Sequence, residues 1–230
     1  WQYVAITKSK DNSYEVYVNG ERLYGGKFKN VSYSYHKLYL GASYYTSFTK
    51  YFNGMIDEFR FSNKVRTKKE IEDHYHASAP FVADTHTIGL WHFDEGSGKV
   101  MKNQVGKSGT LYGGVKYVSG KFGTALSLDG VNDRGDFNLK YSEIPEHNLT
   151  FEFWVKGDAF TKSSTLIQPY GMYNSDIWLK SETVTETKEI EQVFVIRVTD
   201  DPADNLINEI VLSNNSVLEN MPMGTVVGKF

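Results

Sequence analysis

Residues 52–60 read Phe52-Asn53-Gly54-Met55-Ile56-Asp57-Glu58-Phe59-Arg60, and a short helical pattern follows them. Together with Trp1-Gln2-Tyr3-Val4-Ala5-Ile6-Thr7, they give residues 1–76 the pattern of the closing half of a β-sandwich. Residues 86–160 read as an opening half, from Gly89-Leu90-Trp91-His92-Phe93-Asp94-Glu95-Gly96-Ser97-Gly98 to Phe151-Glu152-Phe153-Trp154-Val155. The halves therefore stand in reversed order. Either half alone would leave an apolar sheet face and unpaired strand edges in water. We expect the two to complement each other as one circularly permuted sandwich, an arrangement that the closeness of domain termini permits. The alternative is a tandem array in which each half is the remnant of a separate domain. Both orders are expected of a piece of a longer protein.

Composition agrees with an all-β chain. Of 230 residues, 40% are apolar, and 16 Tyr, 14 Phe and 20 Gly stand beside only 5 Pro. Aromatic residues favour strands, and glycines serve the turns between them. A net charge of −3, without any Lys/Arg run, argues against a nucleic-acid partner. No apolar stretch approaches the roughly 20 residues that a membrane helix needs. The chain begins at Trp1, and no signal-peptide pattern is visible there. With no Cys, disulfides and thiolate metal sites are excluded.

Along the chain, Tyr3–Thr7 and Tyr14–Val18 read as strands, the second followed by Asn19-Gly20. Asn-Gly between alternating runs signals a hairpin, because a type I′ turn needs positive φ at both central residues. Lys37–Leu40 and Met55–Phe61 give further strands. Thr67-Lys68-Lys69-Glu70 has the form of a capping box, which predicts a helix over 67–75 with Ile71 and Tyr75 on one face. Residues 77–85 read as a linker. Beyond it lie strands at Thr87–Phe93, Ala125–Leu128 and Leu149–Val155, with Asp129-Gly130 as a turn. We therefore divide the chain into a sandwich over 1–180 and a second segment over 181–230. In the sandwich, 1–76 is the late-strand half, 77–85 the linker and 86–180 the early-strand half. The second segment opens with an acidic linker, and Val193–Thr199 reads as a strand within it.

These motifs resemble a known family. Gly89 to Gly98, Gly120-Lys121-Phe122-Gly123-Thr124-Ala125-Leu126-Ser127-Leu128-Asp129-Gly130 and Phe151 to Lys156 resemble the first half of a laminin-G-like, concanavalin-A-like jelly roll. Trp1 to Thr7, Tyr17-Val18-Asn19-Gly20, Leu40-Gly41 and Phe52 to Phe61 resemble its second half. The resemblance implies an antiparallel β-sandwich that binds ligands at its rim. Asp133-Arg134-Gly135-Asp136 departs from the pattern where the family places aromatic and β-branched residues, and Gly135 is expected to weaken that strand. Residues 200–228, with Asp200-Asp201-Pro202-Ala203-Asp204-Asn205 and Val211 to Asn220, are similar to the start of a cadherin-like repeat. That likeness implies Ca²⁺ held between modules.

For chemistry, a glycan hydrolase of this shape needs two carboxylates across one cleft, about 5 Å apart in the retaining case. On one strand they must stand at i and i+2 or i+4. No strand offers that pair, and Asp57 and Glu58, being adjacent, are expected on opposite faces. No Ser-His-Asp setting is visible, and His74 and His76 at i, i+2 are poorly spaced as metal ligands. The chain reads as no enzyme. Calcium candidates are Asp200, Asp201, Asp204, Asn205 and Glu219, hard oxygen donors in one segment, with Asp57 and Asp129 at strand ends or turns of the sandwich. Such residues also cap turns or stand solvated. Tyr33, Tyr35, Tyr39, Tyr44, Tyr45 and Tyr51 crowd a segment that also carries Asn53. Tyr44, Tyr45 and Asn53 are the candidate ligand residues, since aromatic faces take sugar C–H groups and an amide takes hydroxyls. Arg134-Gly135-Asp136 is a tripeptide that some integrins read, but it falls at a strand position.

The sequence thus points to a non-enzymatic binding and adhesion module, extracellular or on a cell surface. Its expected partners are a glycan or a surface protein, and the neighbouring domains of a larger protein. An ancillary carbohydrate-binding module of a secreted glycoside hydrolase is the alternative, and a structural spacer the third reading.

Overall fold

The computed structural model describes residues 1–27, 37–44, 48–139, 143–145, 147–157, 164–170, 177–184, 191–198 and 211–212. The strands are β1 (Gln2–Lys8), β2 (Ser13–Val18), β3 (Glu21–Lys27), β4 (Lys37–Leu40), β5 (Ser43–Tyr44), β6 (Phe48–Thr49), β7 (Asn53–Ser62), β8 (Thr87–Trp91), β9 (Val100–Met101) and β10 (Gly109–Tyr112). They continue as β11 (Lys116–Ser119), β12 (Thr124–Asp129), β13 (Arg134–Asp136), β14 (Leu149–Gly157), β15 (Ser164–Tyr170), β16 (Ile177–Val184), β17 (Glu191–Val198) and β18 (Val211–Leu212). The helix described is α1 (Lys68–His76).

Two antiparallel sheets carry the fold. The first runs β11-β12-β7-β14-β1-β2-β3, with β8 also paired to β7. The second runs β18-β17-β16-β15-β4-β13-β10-β9, and β5-β6 form a separate hairpin. Strands from both ends of the chain alternate within each sheet: β14 lies between β1 and β7, and β4 between β13 and β15. β16 carries the second sheet past residue 180 into the acidic stretch.

Alternation along the strands builds the core. Val4, Ile6, Val16, Ile56, Phe59, Phe61, Phe151 and Phe153 of the first sheet meet Leu38, Leu40, Leu111 and Leu166 of the second. Phe59 stacks on Phe137 at 4.6 Å, and Phe61 on Phe151 at 4.5 Å. Asn19 and Gly20 take φ of 51° and 83°, as the hairpin requires. Gly135 sits in β13 and does not break it. A Cβ there would lie 3.0 Å from Met101 Cε and 3.3 Å from Leu40 Cβ, so the bare backbone admits the methionine. Gly135 and Asp136 of the Arg-Gly-Asp tripeptide are buried in this strand.

The most consequential irregularity is in β7. Arg60 faces Glu152 and Asp57 faces Trp154, so one extra residue is accommodated on β7. Glu58 takes it up with φ 53°. The bulge resets the alternation, so that Asp57 and Glu58 both point away from the core while Ile56 and Phe59 both enter it. The expectation of opposite faces is corrected by this one residue.

The outer face of the first sheet is covered by α1 and by residues 77–86. Tyr3, Ala5, Tyr17, Leu90 and Trp154 of the sheet pack there against Ile71 and Phe81. The capping box forms: Thr67 accepts from the Glu70 amide and the Glu70 side chain accepts from the Thr67 amide. The helix so started spans 68–76, one residue on from the predicted bounds.

Candidate functional site

Residues 41–53 leave the second sheet and rejoin the first as a closed excursion. Its feet are tied, with the Phe52 amide donating to Gly41 O at 2.9 Å and the Gly41 amide to Leu166 O at 2.8 Å. Gly41 has φ 77°, and a Cβ there would fall 2.3 Å from Leu128 Cδ2, so only glycine seats this foot. Phe52 is buried and anchors the return. Between the feet stands the β5–β6 hairpin, pairing Ser43 with Thr49 and Tyr44 with Phe48.

Beside the second foot, Asn53 is exposed and pairs with Asp129 of β12. The turn that follows β12 closes over it, because Gly130 would bring a Cβ within 2.9 Å of Asn53 Cβ. That turn is held by its own acids. Asp129 accepts from the Val131 and Asn132 amides at 2.8 and 3.4 Å, and buried Asp133 accepts from the Asp129 and Gly114 amides. Val131, 68% exposed, forms its tip. The structure thus places Tyr44 on the excursion and brings Asn53 and Asp129 together at its base. Tyr45, Tyr33 and Tyr35 lie outside the described residues, as do Asp200, Asp201, Asp204, Asn205 and Glu219. Tyr39 is buried.

Asp57 is used differently. Its carboxylate accepts from the Glu58, Lys121 and Phe122 amides at 2.8, 2.7 and 3.0 Å. Asp94 accepts from the Thr124 amide at 2.6 Å. These two acids clamp Gly120-Lys121-Phe122-Gly123, and both glycines are needed. A Cβ at Gly120 would meet Asp57 Oδ2 at 2.6 Å, and one at Gly123 would meet Asp94 Oδ1 at 2.2 Å. Burial pushes the Asp57 carboxyl up to about 7, helped by the Glu58 charge and opposed by the three amide donors. Among the described residues, no group of three or more His, Cys, Asp or Glu is placed to hold a metal ion. The oxygens of Asp57 and Asp129 accept from backbone amides and clamp the loops beside them.

A buried ionic array, which sequence reasoning did not find, lies under α1. Glu152 is fully buried. It accepts from Tyr3 Oη at 2.6 Å, His74 Nδ1 at 2.7 Å and Arg60 Nε at 2.9 Å, with Arg66 Nε 3.6 Å away. Burial would raise its carboxyl, but the His74 bond, the Arg60 charge and the Tyr3 bond outweigh that and hold it below the usual range. Burial and the Glu152 charge together push the Tyr3 phenol well up. Arg60 also donates to Val82 O at 3.2 Å and lies 4.6 Å from the Phe81 ring centre. Arg66 reaches Asp84 at 2.6 Å and Ser62 Oγ at 3.0 Å. The array therefore ties the 77–86 segment to the sheet. Its one signal in the sequence is polar residues at alternate positions of apolar strands, Thr150 with Glu152 and Arg60 with Ser62.

Two antiparallel sheets about an aromatic core, with a rim excursion and a strapped outer face, define a concanavalin A-like β-sandwich. Residues 1–72 match the family model of the concanavalin A-like lectin/glucanases superfamily, in its laminin G form. No curated protein and no solved structure matches the chain. The fold fits a binding module, and among the described residues no helix is long and apolar enough to cross a membrane.

Proposed function

We propose that the chain is a non-enzymatic binding and adhesion module of an extracellular or cell-surface protein, recognising a glycan or a protein through its rim. The observation that supports this reading is the tied excursion 41–53, which carries Tyr44 in its β5–β6 hairpin and has Asn53, paired with Asp129, at its foot. Binding residues on a loop held by a packed scaffold are a common solution to recognition. Support against a catalytic role comes from Asp57, Glu58 and Glu152. All three carboxylates are fully buried and hydrogen-bonded to the protein.

The test is binding to an array of glycans and surface-protein ectodomains, with and without calcium. Replacing Tyr44, Tyr45 or Asn53 by Ala should weaken the recognised ligand about tenfold, the scale of one lost aromatic contact, and leave the melting temperature unchanged. Binding that survives the triple replacement would move the site away from this rim. A melting temperature raised by calcium and restored on chelation would show that the chain binds the cation, and loss of that shift on replacing Asp200, Asp201, Asp204, Asn205 and Glu219, or Asp57 and Asp129, would say which group holds it.

A further inference from the structure

The 77–86 segment is exposed along its length except at Phe81, its single buried anchor. The Phe81 amide donates to Glu58 Oε2 at 2.8 Å. The same carboxylate receives His92 Nδ1 at 2.8 and 2.9 Å from its two oxygens. Glu58 is fully buried on a bulged residue beside Asp57, and His92 is its ion-pair partner among the described residues. Among the described residues no guanidinium or ammonium pairs with Glu58, and the imidazole is its cationic partner. We propose that His92, Glu58 and the Phe81 amide form a pH-operated latch that holds the 77–86 strap closed while the imidazole carries its proton and slackens it when the proton leaves.

The groups around His92 all favour the proton. Glu58 and Asp57 face it from β7, and Asp94 faces it from its own segment. The Glu58 hydrogen bond raises the His92 pKa above its ordinary value, with Asp94 and Asp57 adding to it and burial opposing. A histidine raised in the folded state contributes stability that is full below its unfolded pKa and is lost as pH rises through its folded one. Once His92 is neutral, Glu58 has lost its positive partner in a buried site beside a second acid. Water drawn to the carboxylate then competes with the Phe81 amide for its oxygens. Two further ties of the strap, Arg60 to Val82 O and Arg66 to Asp84, are made by guanidiniums, and a third is the Asn63 amide donating to His86 O. His86 at the strap's end is exposed and contacts Asn63. His74 lies 2.6 Å from Arg60 and 2.7 Å from Glu152, away from the Phe81 amide's acceptor.

Amide hydrogen exchange on the whole chain tests the latch. After correction for intrinsic exchange, protection of the Phe81 amide should fall about tenfold from about pH 6 to about pH 8.5. His92→Gln should leave protection low at both values, and His74→Gln should keep the wild-type dependence. Equal protection at both pH values in the wild type, or a dependence that survives in His92→Gln, overturns the proposal. If His92→Gln does not fold, nuclear magnetic resonance on the wild type decides. The His92 imidazole and the Phe81 amide must titrate with one midpoint, and separate midpoints overturn it.

Discussion

Glu152 and Glu58 stand on the same face of the same sheet, both fully buried, and they are neutralised in opposite ways. Glu152 has two guanidiniums, a phenol and an imidazole around it. Glu58 has one imidazole and one backbone amide. Removing two charges from water costs several kcal/mol per ion, recovered only if every lone pair finds a donor. The Glu152 arrangement does this with permanent cations, and its charge is therefore constant over the physiological pH range. The Glu58 arrangement does it with an imidazole, a group whose proton the Glu58 hydrogen bond holds more tightly than usual. One sheet face thus holds a fixed joint and a conditional one.

The largest expected effect comes from breaking the fixed joint. Glu152→Gln leaves Arg60 and Arg66 buried without their shared carboxylate, and should cost about 3–5 kcal/mol in urea unfolding at neutral pH. A loss below about 1 kcal/mol would mean that water already screens the array. A pH series separates the two acid types next. Asp57 is raised from 3.8 to about 7, so its favourable contribution is full below about pH 4 and lost as pH climbs to 7. Glu152 is lowered, so its contribution is present above its unfolded pKa of 4.5 and lost as pH falls below it. Asp57→Asn should therefore flatten the decline in stability between about pH 4 and pH 7 and leave the acid limb unchanged, and an unaltered slope would refute the raised carboxyl. The smallest effect is expected at the conditional joint. Glu58→Gln keeps an oxygen for the Phe81 amide and removes the charge, so at about pH 8 it should change stability by less than about 1 kcal/mol.

Much of the fold was legible because its signals are local. Asn19-Gly20 announces its turn, and Thr67 with Glu70 announces the helix that Ile71 then docks. Alternating apolar residues identified β1, β7 and β14, and the apolar cost of leaving either half uncovered motivated their pairing. What the sequence did not show depends on partners distant in the chain. The bulge at Glu58 exists only relative to β14, so it could not be read from β7 alone. The same holds for Gly135, whose missing side chain is explained by Met101, and for Glu152, whose partners come from residues 3, 60, 66 and 74. At the rim, Asn53 and Asp129 were legible as residue types suited to a turn or a ligand. Their adjacency came from strand register.

The hydrogen bond from the Phe52 amide to Gly41 O has a consequence for descent as well as for shape. It pinches the chain at the foot of the excursion, where Ala42 and Ser43 are buried, so the sandwich below is insulated from the length of chain beyond them. Doubling the length of such a loop costs only about 0.6 kcal/mol of closure entropy. A longer connection between Tyr44 and Phe48 can therefore be carried while Gly41, Phe52 and Leu128 keep the junction sealed. The rim can change its length without unseating the strands on which it stands.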